Sequence, residues 1–262
     1  MQTILDMIAE YARKRVEKDK AEMSLEEVKS ACVSLGKARG DEFLLALKKP
    51  GVSFICEVKK ASPSKGVISE EFPYLDIACE YEEAGADCIS CLTEPKWFCG
   101  SNKIFREIRA EVKIPMLRKD FVVDEYQIYQ ARLMGANAVL LICALTDDDR
   151  LKKYIEICRN LGLAAVVEAH DETEIKSAVK AGALIIGVNN RNLKDFSVDI
   201  GNSAKLRSLV PKDVVFIAES GIKTAEDIEV LRQNKIDAVL IGETLMRAEN
   251  KKEALRMLKG EI

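Results

Sequence analysis

The stretch Ala181-Gly-Ala-Leu-Ile-Ile-Gly-Val-Asn189 contains the pattern that decides the fold of this chain. A glycine after a small residue is typical of the left-handed position that ends a helix, and it allows a short connection into a strand. The apolar run Leu184–Val188 lacks polar alternation, as parallel strands buried on both faces do. The run then ends at a polar residue, Asn189. The stretch therefore predicts a helix end, a buried strand and a polar strand end in succession.

The same pattern recurs along the chain. A glycine precedes an apolar run at Ala84-Gly-Ala-Asp87 and at Met134-Gly-Ala-Asn137, and Asn234-Lys-Ile-Asp237 takes the same place before the last run. Amphipathic segments separate eight such runs, which are Val52–Cys56, Cys88–Ile89, Ile114–Leu117, Ala138–Ile142, Ala164–Val167, Leu184–Val188, Val214–Ala218 and Ala238–Ile241. This alternation predicts an α/β protein with the (β/α)8 TIM barrel fold, whose active site lies at the C-terminal ends of the strands.

The first 50 residues belong to no such unit. Ile4, Ile8 and Tyr11 lie at helical spacing, and Ser24-Leu-Glu-Glu27 has the spacing of a capping box that begins a second helix. We therefore predict that the whole chain, residues 1–262, forms one barrel domain, of which residues 1–50 are an N-terminal helical extension. The sequence leaves open whether this extension closes the bottom of the barrel or covers its active-site end.

Composition excludes several classes of function. The formal net charge of -3 gives no reason to expect nucleic acid or an anionic membrane as a partner. No apolar run has the length of a membrane span, and charges interrupt Met1–Lys20, unlike the core of a signal peptide. Most of the eight cysteines lie in apolar runs, as small buried hydrophobes in a reducing cytoplasm do. His170 is the only histidine, which disfavours a histidine-rich zinc site and a Ser-His-Asp triad.

Charged side chains mark the ends of three predicted strands. Glu57 and Lys59 end the first strand and lie on the same face of it, Lys119 ends the third, and Glu168 ends the fifth. Each of these is more often a solvated charge, and Glu57 with Lys59 could be a structural ion pair. Together, however, they bring two carboxylates and two amines to one cavity. Such mixed pairs suit acid–base chemistry, because opposite charges and partial burial shift pKa values.

Two glycine-containing loops predict a phosphate site. Glu219-Ser-Gly-Ile222 follows the seventh strand and Ile241-Gly-Glu-Thr244 follows the eighth, where many barrels bind phosphate. Gly221 and Gly242 would let backbone N–H groups approach an anion closely, although either glycine alone could be a simple turn residue. Two further loops add hydroxyl groups, an amide and cations: Ser62-Pro-Ser-Lys-Gly66 after the first strand and Asn189-Asn-Arg191 after the sixth.

Six stretches of the sequence resemble the indole-3-glycerol phosphate synthase family, and the resemblance covers the whole chain. The stretches are Glu57-Val-Lys-Lys-Ala-Ser-Pro-Ser-Lys-Gly66, Leu117-Arg-Lys-Asp-Phe121, Val167-Glu-Ala-His170, Ile186-Gly-Val-Asn-Asn-Arg-Asn-Leu193, Ala218-Glu-Ser-Gly-Ile222 and Leu240-Ile-Gly-Glu-Thr-Leu-Met246. The resemblance implies a carboxy-lyase of tryptophan biosynthesis without metal or organic cofactor. Its phosphorylated small-molecule substrate would be 1-(2-carboxyphenylamino)-1-deoxyribulose 5-phosphate, which loses carbon dioxide and water as the indole ring closes. It also implies a cytoplasmic monomer that can associate with other enzymes of the pathway.

The resemblance further implies roles for individual residues. Lys119 would be the general acid that protonates the ketone oxygen, Lys59 would pair with the substrate carboxylate, and Glu57 and Glu168 would share the acid–base steps of dehydration in an order that stays open. Asn189 and Ser220 would hold the substrate hydroxyl groups and the catalytic network, and Arg191 would contact the polar part of the substrate. The phosphate would be bound by Ser62, Gly221, Gly242 and Glu243. The anthranilate ring would be bound by Phe98, Phe121, Leu140 and Leu193.

Two positions depart from the family pattern, and three other functions stay open. Some members carry serine where this chain has Glu243, so only the backbone N–H there would bind phosphate. Tyr11 is the one candidate in the extension for an aromatic residue covering the ring.

The first alternative function is that of a phosphoribosylanthranilate isomerase. That enzyme usually relies on a Cys/Asp pair, whereas the first strand here ends in Glu57 and Lys59. A Schiff-base aldolase is a second alternative, because barrel lysines can form imines. A non-catalytic binding barrel is a third.

Overall fold

The computed structural model describes residues 2–192 and 196–261, and within them eight parallel strands form a closed barrel. Each strand pairs with its neighbours in chain order, and the last closes on the first with Ala238 opposite Ser53. The strands are β1 Ser53–Val58, β2 Cys88–Leu92, β3 Met116–Lys119, β4 Ala138–Ile142, β5 Ala164–Ala169, β6 Ile185–Asn189, β7 Val215–Glu219 and β8 Ala238–Ile241. The predicted (β/α)8 barrel is confirmed.

Helices precede the barrel and alternate with its strands. They are α1 Ile4–Glu22, α2 Leu25–Val33, α3 Gly40–Ala46, α4 Tyr74–Glu83, α5 Asn102–Glu111, α6 Tyr126–Leu133, α7 Asp148–Leu161, α8 Glu172–Lys180, α9 Gly201–Arg207, α10 Ala225–Gln233, α11 Glu243–Arg247 and α12 Lys251–Leu258. A short antiparallel hairpin, Ala61–Ser62 with Gly66–Val67, follows β1, and a 3-10 turn, Cys143–Leu145, follows β4. Gly135 and Gly182 have φ angles of 81° and 83° after α6 and α8, as predicted for residues that end a helix.

Six of the eight strands extend further toward their C-terminal ends than the apolar runs predict. An apolar run ends at its first polar residue, whereas a parallel ladder continues while neighbouring strands still pair. Glu57 lies opposite Ser90, and Glu168 lies opposite Gly187, so both carboxylates belong to strands. Lys119 is likewise the last residue of β3 and lies opposite Leu92. The rigid barrel therefore fixes the direction of these side chains.

Alternation along each strand divides the core into two apolar layers. One layer fills the barrel and includes Ile55, Leu117 and Leu140. The other lies between the strands and the outer helices and includes Val58. The two ends of the CxxC stretch follow the same rule, since Cys88 belongs to the inner layer and Cys91 to the outer one. No group of three or more His, Cys, Asp or Glu side chains in the described ranges could hold a metal ion.

The extension reaches both ends of the barrel. At the bottom, Phe43 and Leu47 in and after α3 are fully buried against the inner layer. At the opposite end, Arg15 of α1 donates two hydrogen bonds, of 2.7 and 3.2 Å, to Asp120, the residue after β3. Both alternatives that the sequence left open therefore apply, to different helices. None of the helices in the described part of the chain has the length and apolar character that crossing a membrane requires.

Candidate active site

A cavity of about 870 Å³ opens at the C-terminal ends of the strands. It is within the size range of enzyme clefts for small ligands. The predicted site residues that line it are Glu57, Lys59, Ser62, Phe98, Lys119, Phe121, Leu140, Glu168, Asn189, Arg191, Ser220, Gly221, Gly242 and Glu243. Leu193, the remaining predicted residue, lies outside the described residues. The structure therefore gathers the described candidates in one cavity, while their chemical roles stay predictions.

The ammonium group of Lys119 lies among carboxylates. Its Nζ is 3.3 Å from Glu168 Oε2 and 3.6 Å from Glu219 Oε2. Burial by itself would lower the pKa of Lys119, but Glu168, Glu219 and then Glu57 together raise it well above its usual value. Lys119 is therefore a protonated hydrogen-bond donor at neutral pH, held in place by carboxylates on β5 and β7.

Glu219 is a candidate catalytic residue that the sequence analysis missed. It is the last residue of β7, where it lies opposite Asn189 and is 2% exposed. Its Oε1 has no hydrogen-bond partner among the described residues. Burial raises the pKa of Glu219 to about 7; Lys119 opposes this shift, and Glu168 adds to it. A carboxyl group with such a pKa suits proton transfer near neutral pH. Its position in the sequence could have revealed it, because Glu219 directly follows the seventh apolar run as Glu168 follows the fifth.

Glu168 has a different environment. Its Oε2 accepts a hydrogen bond from Lys119, and its Oε1 accepts one of 3.3 Å from Asn189 Nδ2. His170 Nε2 is 3.4 Å from the same Oε1, and His170 Nδ1 is 3.0 Å from Glu174 Oε2. Burial alone would raise the pKa of Glu168, but Lys119 and His170 lower it. Glu168 therefore stays ionised under conditions in which Glu219 titrates.

Glu57 and Lys59 form an ion pair, which is the structural alternative that the sequence had left open for them. Lys59 Nζ is 2.5 Å from Glu57 Oε2, and Ser90 donates a hydrogen bond of 3.4 Å to Glu57 Oε1. Gly242 packs directly over this pair, because a Cβ at that position would lie 2.5 Å from Glu57 Oε2 and 2.9 Å from Lys59 Nζ. Only glycine leaves room there for both charged groups.

A cluster of charges lies at the β8 end of the cavity. The carboxylate of Glu243 is 3.5 Å from Lys65 Nζ, 3.7 Å from Arg191 Nη2 and 3.2 Å from Arg247 Nε. These cations come from the hairpin after β1, the loop after β6 and α11. The sequence analysis named the first two but missed Arg247, because its i,i+4 relation to Glu243 becomes apparent only once a helix is seen to begin at Glu243.

The opposite wall of the cavity is apolar. The rings of Phe98 and Phe121 pack with their centroids 5.8 Å apart, and Leu140 lies below them in the inner layer. Helix α1 contributes aliphatic rather than aromatic cover, through Ile4, Leu5 and Ile8. Tyr11 packs edge-on against Trp97 at 5.6 Å between centroids and is not among the residues lining the cavity. Phe98, Phe121, Leu140 and the aliphatic face of α1 therefore form an apolar wall of the cavity.

Comparisons with known proteins agree with this geometry. Residues 5–258 match the family model described as "Indole-3-glycerol phosphate synthase". The chain is 56% identical over 257 residues to the indole-3-glycerol phosphate synthase of Ruminiclostridium cellulolyticum, a match that covers 98% of this chain and 99% of that protein. It is 55% identical over 256 residues to that of Endomicrobium trichonymphae, covering 98% and 99%.

Solved structures support the fold by a separate route. The chain is similar to a 3-hexulose-6-phosphate synthase, with a TM-score of 0.65 and 16% identity over 80% of this chain and 100% of that one. It is also similar to a thiamine phosphate pyrophosphorylase from Pyrococcus furiosus, with a TM-score of 0.59 and 17% identity over 82% and 96%. At these identities the likeness shows the barrel alone. The sequence matches go further: this chain belongs to the indole-3-glycerol phosphate synthase family.

Proposed function

We infer that the chain catalyses the conversion of 1-(2-carboxyphenylamino)-1-deoxyribulose 5-phosphate to indole-3-glycerol phosphate, carbon dioxide and water, a step of tryptophan biosynthesis. One observation carries this assignment: the protonated Lys119 lies between an apolar slot and a cationic cluster in one cavity. The substrate has a matching order of parts, with an aromatic ring at one end, a ketone in the chain and a phosphate at the other end.

Lys119 is the general acid for ring closure. As the ring carbon that bears the carboxylate attacks the ketone carbon, the carbonyl oxygen gains negative charge and needs a donor already in place. Glu168 and Glu219 keep the ammonium protonated and aimed into the cavity. Loss of carbon dioxide then leaves the electron pair of the broken carbon–carbon bond in the ring, and Lys59 pairs with the carboxylate before that step.

Dehydration requires an acid for the leaving hydroxyl group and a base for the proton on the neighbouring carbon. Glu57, Glu168 and Glu219 are the carboxyl groups available, and Asn189 hydrogen-bonds to Glu168. We assign the proton-donating step to Glu219, because its pKa of about 7 lets it hold a proton near neutral pH, and the accepting step to the ionised Glu168.

The two ends of the cavity bind the ring and the phosphate of the substrate. Phe98, Phe121 and Leu140 bind the ring. The phosphate lies near Gly221, Gly242 and Ser62, with the backbone N–H of Glu243 and with Arg191 beside it. Ser220, at a φ of 69°, holds this turn in shape together with Gly221 at 86°. The assignment of Leu193 to the ring slot rests on the family resemblance alone.

We propose that the reaction needs no metal or organic cofactor, because Lys59, Lys119 and Arg191 supply positive charge for the carboxylate, the ketone oxygen and the phosphate. We also propose that the chain acts as a monomer and that it can associate with other enzymes of the pathway. The eight cysteines are free, which supports a cytoplasmic location. A Schiff-base aldolase is disfavoured, because its lysine needs a lowered pKa and that of Lys119 is raised.

The direct test is turnover of the substrate by purified protein with EDTA present, followed by the fluorescence of the indole product. We expect steady product formation. Folded protein that binds the substrate tightly without turnover would favour the non-catalytic barrel instead. Absence of both binding and turnover would favour another phosphate-binding barrel enzyme.

The general-acid role is tested by Lys119→Ala. We expect kcat to fall by about 10³-fold with little change in KM, because the lost donor acts on charge that develops in the transition state. Lys113→Ala, at an exposed lysine, is the matched control and should behave like the wild type. A folded Lys119→Ala protein with near-normal kcat would contradict the assignment.

A further inference from the structure

The charge cluster at the β8 end contains an acid where an anionic ligand is expected. Glu243 is within ion-pair distance of Lys65, Arg191 and Arg247, and each of these cations lines the cavity. An anionic group of the substrate would bind to the same three cationic side chains. The carboxylate of Glu243 would then either face that anion across a short distance or have to leave.

Two properties of Glu243 allow it to leave. Its side chain is 29% exposed, so solvent can receive the carboxylate after a rotation. Its closest cation, Arg247, follows at the i,i+4 position on the same short helix, and this pair can persist when the contacts to the other two loops are broken. Arg247 and Lys65 outweigh the effect of burial and lower the pKa of Glu243, so the group is an anion at neutral pH.

We propose that Glu243 is an internal counter-ion that competes with the phosphate of the substrate for Lys65 and Arg191, and so lowers the affinity of this end of the cavity for anions. The inference rests on the proposed position of the phosphate. In the free protein the carboxylate neutralises part of the cluster. On binding, phosphate oxygens replace it and the carboxylate turns toward solvent.

Phosphate can displace the carboxylate because of the charges exchanged. A phosphate monoester carries up to two negative charges and several acceptor oxygens, so it gains more from the three cations than the carboxylate that it displaces. Every anion that binds to the three cations has to displace the same carboxylate, so Glu243 weakens the binding of phosphate and of formate alike.

The test is calorimetric titration of Glu243→Gln and wild-type protein with inorganic phosphate and, separately, with formate. We expect phosphate to bind the variant about tenfold more tightly, and formate to bind it more tightly as well. Glu172→Gln is the matched control, because Glu172 also pairs with a cation at i,i+4, Lys176, but on the exposed surface of α8. It should bind both anions as the wild type does.

Two outcomes overturn the inference in distinguishable ways. If Glu243 only braces the loops structurally, Glu243→Gln will bind phosphate with unchanged or weaker affinity, while Lys65→Ala and Arg191→Ala still weaken it. The phosphate site then stands and the counter-ion role fails. If neither the Glu243 variant nor the two cation variants changes phosphate affinity in folded protein, the phosphate binds elsewhere, and the proposed site fails together with the counter-ion.

Discussion

Glu168 and Glu219 both lie within ion-pair distance of Lys119 Nζ, yet their carboxyl groups have opposite pKa shifts. The difference lies in their other neighbours. Asn189 and His170 face one oxygen of Glu168, whereas Oε1 of Glu219 has no hydrogen-bond partner in the described structure. Hydrogen bonds to the charged form stabilise it, and burial without them favours the neutral form. Two identical side chains are thereby prepared for different steps.

The residue-scale prediction concerns Glu219→Gln. We expect kcat to fall by about 10²-fold or more, and the limb of the pH–rate profile near pH 7 to disappear, because that limb reports the carboxyl group that is lost. The pH dependence of kcat in the wild type and the variant measures this. Glu172→Gln, on the surface of α8, serves as the control. A variant that keeps the limb near pH 7 would assign it to a different group.

The same substitution has a consequence for stability whose sign can be worked out. The pKa of Glu219 is raised to about 7 in the folded protein, above the ordinary value of 4.5. Between these pH values the folded state binds more protons than the unfolded state, so stability falls as the pH rises through this window. Glu219→Gln removes that loss. Its melting temperature relative to wild type should therefore be higher at pH 8 than at pH 5.

At the scale of elements, α1 is connected to the catalytic strand through one carboxylate. Asp120 directly follows Lys119, is 1% exposed, and accepts hydrogen bonds from Arg15 of α1, from Thr93 at 2.7 Å and from Arg118 at 3.3 Å. The next residue, Phe121, lines the ring slot. The position of α1 over the cavity is therefore coupled to the backbone that carries Lys119 and Phe121.

This coupling predicts the effect of Arg15→Met. Methionine keeps much of the apolar volume but removes both hydrogen bonds to Asp120, so the aliphatic side chains of α1 should lose their defined place over the ring. We expect KM to rise about tenfold while kcat changes less than about threefold, since Lys119 keeps its own carboxylate partners. Steady-state kinetics measure both constants. Lys14→Met, at an exposed neighbour on α1, is the control, and an unchanged KM in the Arg15 variant would mean that α1 does not cover the substrate.

Local patterns predicted the elements better than their long-range contacts. The eight strands and the helix ends at Gly135 and Gly182 follow from periodicity and backbone preference, which neighbouring residues determine. Glu57 and Lys119 could be proposed as site residues because a barrel brings all strand ends together. The contact between Arg15 and Asp120 could not be proposed, because these residues lie 105 positions apart and meet only when α1 packs over the barrel.

At the scale of the whole molecule, the N-terminal extension contacts both ends of the barrel. The extension closes the bottom of the barrel with α3 and covers the opposite end with α1, so we expect one segment to act on both stability and substrate binding. The two tasks lie at opposite ends of the strands. They should therefore respond separately to substitution, since distant sites without shared partners have additive effects.

Gly40→Ala tests this separation at the bottom of the barrel. A Cβ at Gly40 would lie 2.5 Å from the carbonyl oxygen of Gly162 and 2.6 Å from the carbonyl carbon of Leu163, and rigid backbone there cannot move aside cheaply. We expect a loss of about 3 kcal/mol and a melting temperature lower by roughly 6–12 °C.

Gly36→Ala is the matched control for Gly40→Ala. Gly36 has a φ of 64° with open space around it, so alanine there meets only backbone strain of about 1–2 kcal/mol. Thermal unfolding of both variants measures the difference, and kinetics below the transition should show KM and kcat close to wild type in each. A Gly40→Ala protein that melts like Gly36→Ala would mean that α3 does not pack tightly against the barrel. A raised KM in either variant would mean that the two ends of the barrel are coupled, because neither substitution touches the cavity.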